Sequence, residues 1–145
     1  MSGIEKIDWN PKYSVDIEEI DLHQKKMFEL FNQLIDIKRS KNETKIYINM
    51  ISEINDYSKL YFSTEEKYLK KEGYPDFSAH AKAHRQFIKS FISLRREISD
   101  DLENLSDEVI EELRNWLINH IVTFDSCYVP FLRINAYIKK SKQKN

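Results

Sequence analysis

Turn-forming residues are scarce, with two glycines and three prolines in 145 residues. A sheet protein needs a turn every few residues, so this shortage argues against strands. The single cysteine, Cys127, cannot form an intrachain disulfide, and its largely apolar neighbours imply a packed thiol rather than a reactive one. No apolar run is long enough to cross a bilayer, and the start MSGIEKIDWN lacks the apolar core of a signal peptide. Nor is there a surplus of cations. The formal net charge of −1 argues against a nucleic-acid partner, whose phosphates demand clustered Lys and Arg. The run Lys139, Lys140, Lys142 and Lys144 reads as a frayed, solvated tail. What these absences leave is one cytoplasmic domain, with enough hydrophobic residues (41%) to bury a core.

What is present is helical periodicity. Residues 1–17 lack it but carry Trp9, Tyr13, Val15 and Ile17, which predicts an ordered arm, and Pro11 disfavours a helix there. The first helix is expected over about 18–39, with Ile20, His23, Met27, Leu30, Phe31 and Leu34 on one stripe. The second, over 44–72, aligns Tyr47, Met50, Ile51, Ile54, Tyr57, Tyr61, Glu65 and Tyr68, and Gly73 with Pro75 stops it. The third, over 77–99, has Asp76 as its expected N-cap and carries His80, His84, Phe87, Phe91, Leu94 and Ile98. The fourth, over 107–128, starts at the N-cap Ser106 and displays Leu113, Trp116, Leu117, His120 and Phe124. Pro130 is expected to interrupt or end it, leaving a short docked extension over 130–140. Short connections between four helices predict an all-α, antiparallel up-down-up-down bundle spanning residues 1–145 as one domain.

All four histidines fall on these helices. His80 and His84 are four apart and therefore share a face. His23 and His120 lie on two other stripes, and Glu65 lies on the remaining one. A single histidine on an apolar face is usually a core residue with a local hydrogen bond. Four stripes that each carry a potential ligand are better explained by a metal, because a buried carboxylate such as Glu65 needs a partner. Mixed imidazole and carboxylate donors suit iron or zinc rather than calcium or magnesium. Asp125, five residues after His120, would sit about 140° away on a regular α-helix. The expectation is a π-bulge between them that turns Asp125 inward.

The chain resembles the bacterial hemerythrins from Trp9 to about Phe131. The resemblance is carried by Trp9 and Tyr13 ahead of Asp21-Leu22-His23-Gln24, by Tyr61-Phe62-Ser63-Thr64-Glu65-Glu66, by Gly73-Tyr74-Pro75, by His80 and His84 with Phe87, and by Trp116-Leu117, His120-Ile121 and Asp125. It implies a non-haem centre of two iron ions, oxo- or hydroxo-bridged, that binds O2 or another small diatomic or peroxide ligand. On that basis His80, His84 and His120 hold one iron, Glu65 and Asp125 bridge the pair, and His23 with position 61 completes the second. Leu117 and Ile121 would line the ligand pocket, with Phe62 and Trp116 close by; plain core packing is the alternative for all four and the preferred reading for Phe62 and Trp116. Glu66 is either a hydrogen-bond partner of a ligand imidazole or a solvated carboxylate. Asp21 is assigned to capping or a surface contact, and Tyr13, Tyr57 and Tyr68 to packing.

One position departs from the family pattern: residue 61 is Tyr where the motif has His. Three alternatives follow. Tyr61 ligates as a phenolate, or it turns away and the second iron is weakly held or absent, or it donates a hydrogen bond to a bound oxygen species or water. Phenolate ligation would favour the ferric state and move the centre from a reversible carrier toward redox or sensing work. The expected function is O2 binding for storage, delivery or sensing by a monomer or weak oligomer. The alternative is an enzyme that handles peroxide or oxidises ferrous iron, and an interaction module with a structural metal comes third.

Overall fold

The computed structural model describes residues 4–40 and 42–143. Helix α1 spans Glu18–Ser40, α2 Thr44–Glu72, α3 Phe77–Asp100 and α4 Asp107–His120. A π-helical turn, Ile121–Asp125, joins α4 directly to α5, Ser126–Gln143. No strand occurs among the described residues. The four rods form an antiparallel bundle, with α4, the π turn and α5 making up the fourth. Each buries one face. The core runs through Met27, Phe31 and Leu34 of α1, Ile51 and Ile54 of α2, Phe87 and Phe91 of α3, and Leu117 of α4. On α2 the buried line also takes in Ser58, Phe62 and Leu69, while Tyr57 and Tyr68 are only half-buried, because a 3.6-residue period drifts across so long a helix.

The arm is ordered. Ile4 and Val15 are buried, and Asn32 of α1 makes reciprocal 2.8 Å bonds with the Ile7 backbone. Pro11–Tyr13 forms a single 3-10 turn, in which Pro11 occupies the first position, where an N–H is not needed. Asp21 accepts a hydrogen bond from the Val15 N–H at 2.9 Å and so caps the arm.

Helix α2 ends at Gly73 in the left-handed region, φ 70°. The Gly73 N–H donates to Lys70 O and the Tyr74 N–H to Leu69 O, which closes the helix and turns the chain toward α3. A Cβ here would meet nothing within 4 Å, so the penalty of a side chain is purely conformational. Gly73→Ala should therefore lower stability by about 1 kcal/mol and the melting temperature by roughly 2–4 °C, measured by thermal unfolding. A larger loss would place hidden packing at this corner.

Four expectations are corrected. Asp76 precedes α3 but its side chain makes no capping bond; the helix opens instead through the turn in which the Phe77 N–H bonds Tyr74 O. Ser106, by contrast, caps α4 as expected, accepting from the Val109 N–H at 3.2 Å. Pro130 neither interrupts nor ends the last helix, because it lies inside α5. Its missing N–H strands only the carbonyl of Ser126, and both residues are exposed, so water can satisfy that group. The basic segment is not a frayed tail, since α5 extends through Lys139, Lys140 and Lys142, and Lys139 bonds Glu72 at the end of α2 at 3.0 Å; Lys144 lies outside the described residues. Cys127 is exposed rather than packed, its thiol donating to Thr123 O at 2.7 Å.

Candidate metal centre

The chain folds so that five donors meet at one point. Glu65 comes from the middle of α2, His80 and His84 from successive turns of α3, His120 from the last position of α4, and Asp125 from the end of the π turn. All five side chains are buried, and one donor atom from each lies within 4.8 Å of all the others. His80 Nε2 is 2.6 Å and His84 Nε2 2.9 Å from Glu65 Oε1. His84 Nε2 and His120 Nε2 are 3.0 Å apart. Asp125 Oδ1 lies 3.2 Å from both His80 Nε2 and His120 Nε2.

The π turn makes this possible. Through it the Ser126 N–H reaches back five residues to Ile121 O, so residues five apart come to lie one turn above another. On a regular α-helix Asp125 would have pointed away from His120. The bulge predicted from the spacing alone is present.

Around the five donors the structure supplies orientation. Glu66 Oε2 lies 2.8 Å from His84 Nδ1, which resolves its two possible roles in favour of holding a ring. Phe62 stacks on the His84 ring at 4.0 Å and Trp116 on the His120 ring at 4.7 Å. Both therefore act by fixing imidazole planes. Leu117 and Ile121 are fully buried beside His120 in sequence and belong to the core.

The second group of expected ligands is placed differently. His23, on α1, is half-buried and is not one of the five; its Nδ1 lies 2.6 Å from the Tyr57 hydroxyl. Tyr61 is completely buried, and its hydroxyl donates a short hydrogen bond to Asp125 Oδ2. Burial, with the Asp125 and Glu65 carboxylates adding to it, pushes the Tyr61 phenol well above its ordinary value of 10. The Tyr61 hydroxyl is therefore engaged with a carboxylate of the donor group.

Two participants were not singled out from sequence. Tyr128, on α5, donates to Glu65 Oε2 at 2.7 Å. Gln24 Nε2 donates to Asp125 Oδ2 at 3.4 Å, while Gln24 Oε1 accepts from Trp9 Nε1 at 2.9 Å. Tyr128 is three residues beyond Asp125 at the end of the expected fourth helix, and this spacing was its only signal in the sequence. Gln24 follows His23 within a quoted motif, and only its complete burial marks it as functional.

Charges explain how these groups share one buried space. Burial disfavours a charged Glu65, yet hydrogen bonds from His120, His80 and His84 outweigh it and hold the carboxyl well below its usual range. Burial likewise opposes protonation of His80, but Asp125 and Glu65 raise it from 6.5 to about 9. His120 is raised to about 9 against the same opposition, by Asp125 first and then Glu65. At the centre Asp125 Oδ1 and the Nδ1 atoms of His80 and His120 are buried without a hydrogen-bond partner, and Asp125 Oδ1 faces two imidazole Nε2 nitrogens at 3.2 Å. A carboxylate oxygen in that position fits a cation, and three imidazoles with two carboxylates are the donor set of a transition ion.

A four-helix bundle whose interior converges three imidazoles and two carboxylates defines a metal-binding bundle protein. Its kin are identifiable. Residues 15–132 match the family model described as the Hemerythrin HHE cation binding domain, and the chain belongs to the hemerythrin family of non-haem iron proteins. It is 31% identical over 132 residues to the bacteriohemerythrin of Stenotrophomonas maltophilia, covering 91% of this chain and 84% of that one. It is 32% identical over 125 residues to the bacteriohemerythrin of Pseudomonas aeruginosa, covering 86% and 80%. With a crystal structure of wild-type hemerythrin the fold agrees at a TM-score of 0.78, with 24% identity over 86% of this chain and 95% of that one.

Proposed function

We propose that the protein binds O2 or a related small diatomic or peroxide molecule at a non-haem centre of two iron ions. It would serve storage, delivery or sensing in the cytoplasm, as a monomer or weak oligomer. No helix among the described residues is long and apolar enough to cross a membrane. The observation that carries the reading is the convergence of five buried donors with one carboxylate oxygen left without a partner. His80, His84, His120, Glu65 and Asp125 would hold iron, and the second position would be bordered by His23, Tyr61 and the outer carboxylate oxygens. Iron held by these residues would supply the electrons for binding such a molecule. The chain's own residues supply the rest: Phe62 and Trp116 fix the rings, Glu66 holds His84, and the buried apolar side chains of Leu117 and Ile121 would keep water from a bound ligand.

A second reading, redox chemistry on peroxide or ferrous iron, is favoured by the Tyr61 hydroxyl, a proton donor placed directly on a ligand carboxylate. Mixing the reduced, iron-loaded protein with O2 under stopped flow separates the two. A spectral change that reverses when O2 is removed supports binding. Irreversible oxidation accompanied by turnover of added peroxide supports the enzyme and would refute the carrier.

A further inference from the structure

The carboxylate oxygens at the centre are unequally free. On the inner side Glu65 Oε1 and Asp125 Oδ1 face the three Nε2 atoms, and Asp125 Oδ1 has no hydrogen-bond partner. On the outer side every oxygen is taken. Glu65 Oε2 accepts from the Tyr128 hydroxyl at 2.7 Å. Asp125 Oδ2 accepts from the Tyr61 hydroxyl and, at 3.4 Å, from Gln24 Nε2, which the Trp9 indole holds in place. Both phenols are fully buried. His23, the remaining imidazole, is half-buried and lies against the Tyr57 hydroxyl rather than in the five-donor group.

A first divalent ion therefore enters a set of donors that already points at it. The charges also close, because two carboxylates balance one divalent cation. A second ion would have to share Glu65 Oε2 and Asp125 Oδ2 with two phenolic hydrogens. It would also leave two positive charges buried until anions accompany it, and uncompensated buried charge is expensive.

We propose that this chain takes up metal in two unequal steps, through a stable one-ion form held by His80, His84, His120, Glu65 and Asp125, because Tyr61 and Tyr128 tie back the oxygens a second ion would share. The proposal rests on the metal-binding reading above. In the one-ion form Glu65 and Asp125 would each offer only their inner oxygen to the ion, and Tyr61 is the gate to the second position.

The test is anaerobic titration of the full-length apoprotein with Co(II), followed by visible absorption and by elemental analysis after desalting. The wild type should retain one cobalt per chain, with a second taken up in a separate phase at least about tenfold weaker. Tyr61→Phe removes the tie without supplying a ligand, so the second phase should strengthen by about threefold or more while the first is unchanged. Tyr61→His adds an imidazole and should retain two. Circular dichroism checks that both variants are folded, and the wild-type titration stands if either is not. Joint uptake of two ions by the wild type, with no one-ion stage, overturns the proposal. So does a weaker second phase in Tyr61→Phe, which would make the phenol a ligand. Retention of no ion at all by the wild type would instead overturn the metal-binding reading itself.

Discussion

Glu65→Gln is expected to cost the protein its bound iron. The substitution preserves volume but removes the charge at the centre of the donor group, where Glu65 Oε1 lies within 2.9 Å of two imidazole nitrogens and Oε2 accepts from Tyr128. Groups one layer out from a metal typically contribute 10–100-fold in affinity, so loss of a ligand carboxylate should exceed about 100-fold. Tyr128→Phe removes only the outer hydrogen bond and should fall within that lower range, about tenfold. The order of the two effects is what identifies Glu65 as a ligand. Competition against a chelator of known affinity, with both variants checked for helicity, gives the measurement. Equal retention by Glu65→Gln and the wild type would remove Glu65 from the ligand set.

The second large effect concerns pH and the metal together. In the metal-free chain His80 and His120 titrate near 9 instead of 6.5, because the folded state gives their protonated forms two carboxylate partners. The folded chain thus binds these protons more tightly than the unfolded chain. That stabilisation is complete below pH 6.5 and is lost as the pH rises through 9. The two histidines share the same carboxylates and do not add fully, so the loss should be about 3 kcal/mol, or roughly 10 °C in melting temperature. The metal-loaded protein should behave in the opposite sense. Ligand imidazoles must be neutral, so metal and protons compete, and the metal's contribution to folding grows over the same interval. Melting temperatures of the two forms should diverge between pH 6.5 and 9. Parallel curves would show that the metal does not replace these protons.

Much of this was readable from the chain alone, for a physical reason: the bundle depends on periodicity, and periodicity survives in sequence. The limits of α2, the Gly73 corner and the cap at Ser106 each follow from local chemistry that no distant contact overrides. The convergence of His80, His84 and Glu65 is equally local, since it needs only three- and four-residue steps on adjacent helices. The π turn was legible because Asp125 is out of phase with His120, which either a side chain reaching around the helix or one extra residue in the turn could absorb, and the structure has the extra residue. What was not legible depends on context. Pro130 reads as a breaker, yet on a solvent-facing side its missing N–H strands nothing buried. Cys127 has apolar neighbours in sequence, but the π turn rotates it outward. Tyr61 has three chemically sensible roles in the sequence, and its hydrogen bond to Asp125 Oδ2 depends on a tertiary neighbour that the sequence does not reveal. Gln24 and Tyr128 reach the centre through tertiary neighbours 101 and 63 residues away.

The π turn has one more consequence, in how this chain can tolerate change. It acts as a phase shifter: everything after it, Asp125 and Tyr128 together, is keyed to a different angular frame from His120. Rewinding these residues as an ordinary α-helix at unchanged length would swing both groups away at once, whereas deleting one residue between His120 and Asp125 would let the helix become regular with Asp125 still one turn beyond His120. Point substitutions on the outer face of this segment are nearly free, whereas its winding is tied to the number of residues between His120 and Asp125.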